Sequence, residues 1–462
     1  MTRPAGDESR STRGLLRRTA GYNVISGAQI ALAVIFQLLL ARKFGASLLT
    51  DAYLASVLLI NFLSTMASAL AETFTQYYHE IKTESPHEAV RFYQAVLNVS
   101  LAIGLVASAG AVVFAGPLVA LLAPGFGGDR LAALRSVFGV LALGLVGSAA
   151  LRVNATLLRA ELRFAPMYLL GLLTPGLNVL AILVCDADRG IRLIAAAGVA
   201  STMIGLAVQQ LYIKRVLGIP WAPVLWHDRL VGLAGNSLLL RLGHQIWDFK
   251  DVIATNVLSV LPGGTVTLYL YGARIISMAF SLASSASREI VMSLISELAA
   301  RRDFESMRTL ARRSLVVFTG MLVAVLLVLA VTLPELLAYL VGARLSAQER
   351  EVIYGVFLAS IPFYLLLSVE APWVTIAIAL KQGGRVALIG TAFIAIFWGV
   401  ALVLRPTLGV YAIPPALAIG QLHSYLWYRA SGRRILRRGT AAAPAATPSH
   451  AAHRSRPDAA AT

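Results

Sequence analysis

Three things are scarce in this 462-residue sequence: cysteine, charge and the short motifs of soluble enzymes. Cys185 is the only cysteine, so no disulfide can form within the chain. Charged residues make up 14 %, whereas about a quarter is usual in a soluble protein. There is no nucleotide-binding P-loop, no glycine-rich dinucleotide fingerprint, and no HExxH or paired-cysteine metal motif. We therefore expect a protein that is not an enzyme, does not hydrolyse ATP and holds no metal or cofactor.

Apolar residues are abundant instead: they form 58 % of the chain, and the mean hydropathy is +0.73. Apolar runs of about 20 residues, long enough to cross a hydrocarbon core of about 30 Å, recur along the whole sequence. This pattern predicts an all-α polytopic membrane protein with about 12 transmembrane helices, and Pro175 predicts a kink in the fifth. The predicted spans are 22–41, 51–71, 93–115, 133–152, 166–185, 191–213, 232–258, 265–287, 314–333, 352–377, 385–404 and 408–428.

The net charge of +17 has a topological explanation. With both termini placed in the cytoplasm, roughly three times as many Lys and Arg residues fall in cytoplasmic segments as in outside ones, which is the positive-inside pattern. When basic residues near span ends are counted with the adjoining loops, the span interiors hold only Arg241, Lys250 and Arg274. The basic character therefore fixes orientation, and no nucleic-acid partner is expected.

A weak internal repeat relates the two halves of the chain. An offset of 217 positions places Pro117 on Pro334, Gly125 on Gly342 and Thr174 on Thr391 while preserving the order of the spans. Six spans is an even number, so the repeat predicts two pseudo-symmetric six-helix lobes of the same orientation around a central cavity. The predicted parts are a cytoplasmic basic tail 1–20, an N-lobe 21–213, a cytoplasmic linker 214–231, a C-lobe 232–428 and a disordered cytoplasmic tail 429–462.

The seventh span carries an unusual polar stripe. On a helix, Arg241, His244, Gln245, Asp248 and Asp251 share about one third of the circumference, with the neighbouring lysine pointing to the opposite side. An ionisable residue near the centre of a span costs about 2.5–3.5 kcal/mol on an insertion scale. The stripe must therefore face a water-filled cavity or the interior of a bundle.

Buried ionisable residues mark substrate or ion pathways by default, although pairs at i,i+3 and i,i+4 spacing could be structural and Asp51 could cap the second helix. Arginines in a cavity would attract an anionic group such as a phosphate by charge-assisted hydrogen bonds. Carboxylates could bind Na⁺ or a proton and shift the balance between two conformations. The candidate substrate-binding residues are Arg274, Arg241, His244, Gln29 and Asn61, and the candidate ion-coupling residues are Asp248, Asp251, Glu370 and Asp51.

Three stretches resemble a known family. They are the ARKFGASLLTDAYLAS segment from Ala41 to Ser56, the LLAPGF segment from Leu121 to Phe126, and the YLYGAR segment from Tyr269 to Arg274. They are similar to segments of the MurJ/MviN lipid II flippases, which belong to the multidrug/oligosaccharidyl-lipid/polysaccharide (MOP) exporter superfamily. Their order and spacing fit over roughly residues 20–430.

The resemblance implies two six-helix lobes around a cationic cavity that flip a polyprenyl-linked sugar across the bacterial inner membrane. Of the family's diphosphate-binding arginines, the one on the eighth helix corresponds to Arg274. The positions on the first and second helices fall on Ile30, Phe36 and about Ser64. The family's cation site takes acids from the seventh and eleventh helices; Asp248 or Asp251 could supply the first, and the eleventh span has none.

The resulting hypothesis is an alternating-access flippase for a polyprenyl-diphosphate-linked saccharide, either lipid II-like or an exopolysaccharide or O-antigen precursor. The alternatives are a cation-coupled exporter of small amphiphiles and a non-transporting scaffold in cell-envelope synthesis. The expected partners are the lipid-linked substrate, membrane lipids and proteins of envelope polysaccharide synthesis.

Overall fold

The computed structural model describes residues 12–185, 190–300, 303–342, 344–380 and 382–442, except for some side chains within helices. Over these residues the chain folds into helices and contains no strand. The helices are α1 (Thr12–Phe44), α2 (Leu48–Ala67), α3 (Phe74–Glu84), α4 (Pro86–Val113), α5 (Ala115–Leu122), α6 (Gly128–Ala142), α7 (Leu145–Ala160), α8 (Ala165–Gly171), α9 (Leu173–Val184), α10 (Gly190–Tyr212), α11 (Leu230–Leu258), α12 (Thr265–Ala300), α13 (Phe304–Val341), α14 (Ala347–Ala379), α15 (Gly383–Leu408) and α16 (Ile413–Ala442).

The chain is a multi-pass membrane protein. Nine segments of the described chain are long and apolar enough to cross a membrane, or ten when the bent pair α6–α7 is counted as one span. One of the nine, Gly384–Arg434, contains both α15 and α16, and α11 with its polar stripe is not among them. With α15 and α16 separated and α11 included, the helices follow the twelve predicted spans in order. The predicted fold class is confirmed.

Two spans are broken, each near its middle. The fifth consists of α8 and α9, which meet at Leu172, three residues before Pro175. Proline has no N–H to bond the preceding turn, but it is tolerated in the first turn of a helix, so the chain starts a new helix there. The fourth span bends by 42° between α6 and α7, close to Gly144.

The closest packing groups the helices into two sets. In the first, α4 packs on α7, α2 on α6, and α9 on both α1 and α10; in the second, α14 packs on α12, α13 and α16, and α11 on α15. Equivalent helices start at nearly the predicted offset: α2 and α12 begin at Leu48 and Thr265, which are 217 positions apart. The sets are joined mainly through α2 with α11 and α12, and through α1 with α12 and α13.

The helices extend into the predicted tails at both ends. Helix α1 already begins at Thr12 and α16 continues to Ala442, so parts of the predicted tails 1–20 and 429–462 are helical. Arginine, leucine and alanine are good helix formers, so a spanning helix can continue beyond the apolar run that hydropathy detects. The remainder of both tails, residues 1–11 and 443–462, lies outside the described residues.

The predicted linker is held against the first set of helices. No α-helix forms between Tyr212 and Leu230. The Gln94 side-chain amide donates to the carbonyl of Pro220 at 2.8 Å, and that of Asn98 donates to the carbonyl of Ala222 at 2.7 Å. The Trp221 indole N–H donates to Asn98 Oδ1 at 2.9 Å. The segment is therefore fixed to α4 by both backbone and side chain.

The short helix α3 is tied to α7 through Glu161. Its carboxylate accepts hydrogen bonds from the Tyr78 hydroxyl at 2.6 Å and from Lys82 Nζ at 2.5 Å. Burial alone would raise the pKa of Glu161, but the bonds from these two side chains hold it below its ordinary value. This brace fixes the position of the residues just before α3, which carry part of the candidate site.

Candidate functional site

Arg241 on α11 lies at the centre of a cluster between the two sets of helices. Its side chain is only 7 % exposed, and its guanidinium donates to Glu72 Oε1 at 2.5 Å. The other terminal nitrogen donates to Gln245 Oε1 at 3.2 Å and to Asp248 Oδ2 at 3.4 Å. Three members of the predicted stripe therefore act together, and Glu72, which follows α2, completes the cluster. Pairing of this kind is what a buried guanidinium requires.

Further bonds beside this cluster hold α11 against the end of α2. Gln245 Nε2 donates to the carbonyl of Phe62 at 3.2 Å, and the hydroxyls of Thr73 and Ser237 lie 2.6 Å apart. With the Arg241–Glu72 pair, these contacts close the space between the lobes at the end where the linker runs. We call this group of contacts the inner clasp, after the cytoplasmic side on which the sequence predicts the linker.

Arg152 on α7 also faces the inner clasp and was not among the predicted site residues. It interacts electrostatically with Arg241, Glu72 and Asp248. The predicted fourth span ends at Arg152, and a basic residue at the end of a span is usually taken to indicate only the orientation of the chain in the membrane. Helix α7 continues to Ala160, however, so Arg152 lies within the helix. The N-lobe therefore contributes an arginine opposite the stripe on α11.

A second cluster lies farther along α11. Lys250 Nζ is 3.3 Å from Asp251 Oδ2, and it also interacts with Asp248 and with Tyr364 on α14. Asp251 in turn interacts electrostatically with Arg274 on α12. The expectation that Lys250 points away from the stripe is wrong, because its long side chain can turn toward acids that the helical position of its Cβ does not face.

Arg274 connects α12 with α1 at the boundary between the lobes. Its Nη1 donates to Gln37 Oε1 at 2.7 Å. The two side chains help to line a small cavity of about 50 Å³ between α1, α12, α13 and the start of α14. Gln37 was missed because a single glutamine in an apolar helix carries no distinctive sequence signal.

This cavity adjoins a larger apolar groove of about 530 Å³, and both are lined by Val34, Leu38 and Ile275. The groove runs between α1 of the first lobe and α12 and α13 of the second, and its lining is almost entirely aliphatic. A cationic side chain thus lies at one end of an apolar passage between the lobes. In a molecule that joins an anionic group to a hydrocarbon chain, the anionic group could contact the cationic side chain while the hydrocarbon chain lies in the apolar groove.

The opposite end of the molecule is closed around Asp51, which is fully buried. Asp51 Oδ2 accepts from Arg130 Nη2 at 2.6 Å and from the Gly264 N–H at 2.8 Å. Its Oδ1 accepts from the backbone N–H and the hydroxyl of Thr267, at 2.8 and 2.6 Å. Arg130 also donates to the carbonyl of Leu261 at 3.2 Å. We call these contacts the outer clasp.

Asp51 therefore links three elements, α2, α6 and the turn before α12. A carboxylate has about four lone-pair sites, and all four are occupied here. An ion could bind Asp51 in this conformation only by displacing a donor. The helix-capping alternative does not hold either, because the N-cap of α2 is Ser47, whose hydroxyl accepts from the Thr50 N–H.

The remaining predicted residues lie apart from these clusters. Gln29 Nε2 donates to the carbonyl of Tyr168 at 2.6 Å, a contact inside the N-lobe, and Asn61 is exposed on α2. Glu370 is buried between α14 and α16. His244 is on α11, but its side chain lies outside the described residues. The substrate and ion roles of all the candidate residues stay predictions.

This architecture is shared with known proteins. The family model "Lipid II flippase MurJ" matches residues 40–442. A structure of lipid II flippase MurJ in an inward closed conformation has a TM-score of 0.77 and 13 % identity, covering 91 % of this chain and 90 % of that one. No match was found among curated protein sequences.

Transporters of the wider superfamily share the fold. An inward-facing MATE family multidrug transporter has a TM-score of 0.75 and 15 % identity, covering 90 % of this chain and 96 % of that one. A MOP superfamily transporter from Pyrococcus furiosus has a TM-score of 0.65 and 16 % identity, covering 95 % and 100 %. At these identities the likeness shows the fold alone. The family model covers most of the chain and confirms the resemblance drawn from the three motifs: the chain belongs to the MurJ lipid II flippase family.

Proposed function

We propose that this protein is an alternating-access flippase that carries a polyprenyl-diphosphate-linked saccharide across the bacterial inner membrane. One observation carries the proposal: Arg274 stands at the end of an aliphatic groove that runs between the two lobes. The diphosphate would bind the guanidinium while the prenyl chain stays in the groove, in contact with the apolar part of the membrane. Membership of the MurJ family supports the same substrate class.

The chemistry of the cavity suits a diphosphate. A guanidinium can give two parallel hydrogen bonds to phosphate oxygens, and such charge-assisted bonds are about twice as strong as neutral ones. Gln37 already holds Arg274 in place from the other lobe. Lys250 lies beside Asp251, which interacts with Arg274, and supplies a second cation for the same anionic group.

The two clasps are the contacts that must break for the cavity between the lobes to open. The inner clasp joins α11 to the end of α2, and the outer clasp joins α2 to the turn before α12, so α2 is held to the C-lobe at both ends. Each clasp consists of ion pairs and hydrogen bonds that can break and re-form. Opening one while the other stays closed would expose the cavity to one side at a time.

Cation coupling is part of the proposal. Asp248 and Asp251 are about half exposed, with side-chain exposures of 51 % and 47 %, and each is paired with one cation. A Na⁺ ion or a proton bound to either would weaken its pair and so bias the balance between the closed and open states.

The saccharide class can be determined by rescue of a flippase-depleted bacterial strain, scored separately for peptidoglycan synthesis and for surface polysaccharide. We expect the wild-type chain to restore at least one of these. The variant with both Arg274→Ala and Arg241→Ala should insert normally but restore neither. Normal glycan export by the double variant, or drug efflux without glycan export, would count against the proposal and favour the exporter of small amphiphiles.

Arg241 has two candidate roles, and a charge swap separates them. Glu72→Arg and Arg241→Glu should each lower transport and thermal stability, because each leaves like charges facing one another in the inner clasp. If Arg241 only closes the inner end, the double swap should restore both. We expect it to restore the melting temperature but not transport, because a glutamate on α11 would repel the diphosphate. Transport restored to the wild-type rate would rule out substrate binding by Arg241.

A further inference from the structure

Arg135 lies near one end of the span that α6 begins, and no contact described so far accounts for it. Its side chain is exposed and makes no hydrogen bond or ion pair with any residue that the structure describes. Arg130, five residues earlier on the same helix, is in contrast buried in the outer clasp and paired with Asp51. The predicted orientation places this end outside, where the positive-inside pattern does not call for a basic residue. The charge of Arg135 therefore needs another explanation.

Arg135 lines an open cleft of about 600 Å³ between α4, α5 and α6. Ser136 is the only other lining residue with a hydrogen-bonding side chain, and no acidic residue of the described chain lines the cleft. The rest of the lining is apolar or glycine. Val113 and Leu143 are 73 % and 52 % exposed although they lie on spanning helices, so the cleft opens toward lipid. None of its residues lines the cavity beside Arg274 or the adjoining groove.

The guanidinium of Arg135 occupies a slot that only a glycine leaves open. A Cβ atom at Gly116, in the first turn of α5, would overlap Arg135 Nη2. Any side chain at this position would therefore displace the guanidinium. The offset of 217 positions places Leu333 and Val352 where the N-lobe has Gly116 and Arg135. The C-lobe thus has neither the slot nor the cation, and the arrangement is particular to the N-lobe.

The cleft has a polar end and an apolar end. Ser136, Gly139, Val140 and Leu143 follow Arg135 at spacings that keep them on one side of α6. At about 1.5 Å per residue, this stripe extends roughly 12 Å along the helix, away from the outer clasp and toward the middle of the membrane. An amphiphile with its anionic group beside the guanidinium would lay a hydrocarbon chain along the stripe. This is the orientation of a lipid in the leaflet on the side of the outer clasp.

We propose that the cleft binds one anionic glycerophospholipid of this leaflet, with the lipid phosphate on Arg135 and an acyl chain along the apolar stripe. A phosphate can take two charge-assisted hydrogen bonds from one guanidinium. Phosphatidylglycerol adds only neutral hydroxyls, whereas the ammonium of phosphatidylethanolamine would meet no acid in the lining. A free phosphate would satisfy the guanidinium but leave the apolar lining uncovered. The lipid would bridge α4, α5 and α6 and stabilise their packing.

Thermal unfolding of the purified full-length protein in detergent tests the site without any polyprenyl lipid. A ligand that binds only the folded state raises the melting temperature. We expect phosphatidylglycerol to raise Tm by about 2–4 °C, and phosphatidylethanolamine or glycerol 3-phosphate to leave Tm unchanged. Arg135→Ala should abolish the rise. Gly116→Ala should also reduce it strongly, although it keeps the charge, because the added methyl group displaces the guanidinium.

Arg405→Ala is the matched control for these variants. Arg405 also lies near one end of a spanning helix, in the last turn of α15, but it is not part of the cleft. It removes the same charge from the protein, so a lipid that responds only to net charge would lose affinity equally in both arginine variants. We expect Arg405→Ala to keep the full rise in Tm with phosphatidylglycerol.

Five results would overturn the proposal. A wild-type Tm that phosphatidylglycerol does not raise would mean that Arg135 is simply solvated at the membrane surface. A rise that persists in Arg135→Ala, or disappears in Arg405→Ala, would mean that the lipid acts elsewhere or through net charge. An equal rise with phosphatidylethanolamine would show that headgroup charge is not recognised, and an equal rise with glycerol 3-phosphate would indicate an anion site without a lipid chain. None of these outcomes bears on lipid flipping, which the measurements do not involve.

Discussion

Arg274→Ala is expected to lower the rate of lipid flipping by about 10- to 100-fold, because the charge-assisted bonds of a guanidinium to a phosphate contribute about 1.5–3 kcal/mol. Arg274 is the cation that contacts α1 and lines the cavity next to the apolar groove. Arg274→Lys should recover only part of the rate, since an ammonium cannot form the two parallel bonds of the guanidinium. The measurement is flipping of a fluorescent polyprenyl-diphosphate saccharide in proteoliposomes.

Arg135→Ala is the matched control for this experiment. Arg135 also lies on a spanning helix, α6, but it is exposed and lines a different cavity, between α4, α5 and α6. We expect this variant to flip the lipid at the wild-type rate. A folded Arg274→Ala protein that transports as fast as the Arg135→Ala control would refute the role of Arg274.

Loss of the Asp51 carboxylate is expected to have the largest effect on stability. Asp51→Ala removes four hydrogen bonds and leaves Arg130 buried without its counter-ion, a combination that costs about 3–5 kcal/mol. Chemical denaturation in detergent or thermal unfolding measures the change. The matched control is Asp129→Asn, an exposed acid next to Arg130, which should change stability by no more than about 0.5 kcal/mol.

A double-mutant cycle shows whether the effect comes from the ion pair. The variant with both Asp51→Ala and Arg130→Ala should be less destabilised than the sum of the two single variants, because the second change removes the unpaired guanidinium that the first creates. Strictly additive effects would mean that the two side chains act independently. In that case the outer clasp would depend on the backbone bonds of Gly264 and Thr267 alone.

The fold could be predicted from the sequence because the membrane restricts the choices. A chain that must satisfy its backbone bonds inside lipid forms helices of at least a fixed length, so apolar runs reveal most of the spans. The break near Pro175 also follows from local chemistry. Helix ends could not be predicted in the same way, because α1 and α16 continue through residues that are polar but favour a helix.

The composition of the candidate site could be predicted only in part. The energetic cost of charge in a span singled out Arg241 and Asp248 on α11, and both are in the inner clasp. Their partners Glu72 and Arg152 lie on the other lobe at the ends of apolar runs. A charged residue costs little free energy there, so its presence does not indicate a site. Asp51 was ambiguous for a related reason: its partners lie 79 and 216 positions away, beyond any local pattern.

The attachment of the linker to α4 has a mechanical consequence. Because its backbone is bonded to Asn98 as far as Val224, only residues 225–229 lie between this anchor and α11, which begins at Leu230. Within them His227 still packs against Phe92 of α4, with ring centroids 5.2 Å apart. A fully extended chain spans at most about 3.6 Å per residue, so this tether can stretch to about 18 Å. Its anchor on α4 and the first turn of α11 can move no farther apart than that. The length of this short segment therefore limits how far α4 and the start of α11 can separate when the inner clasp opens.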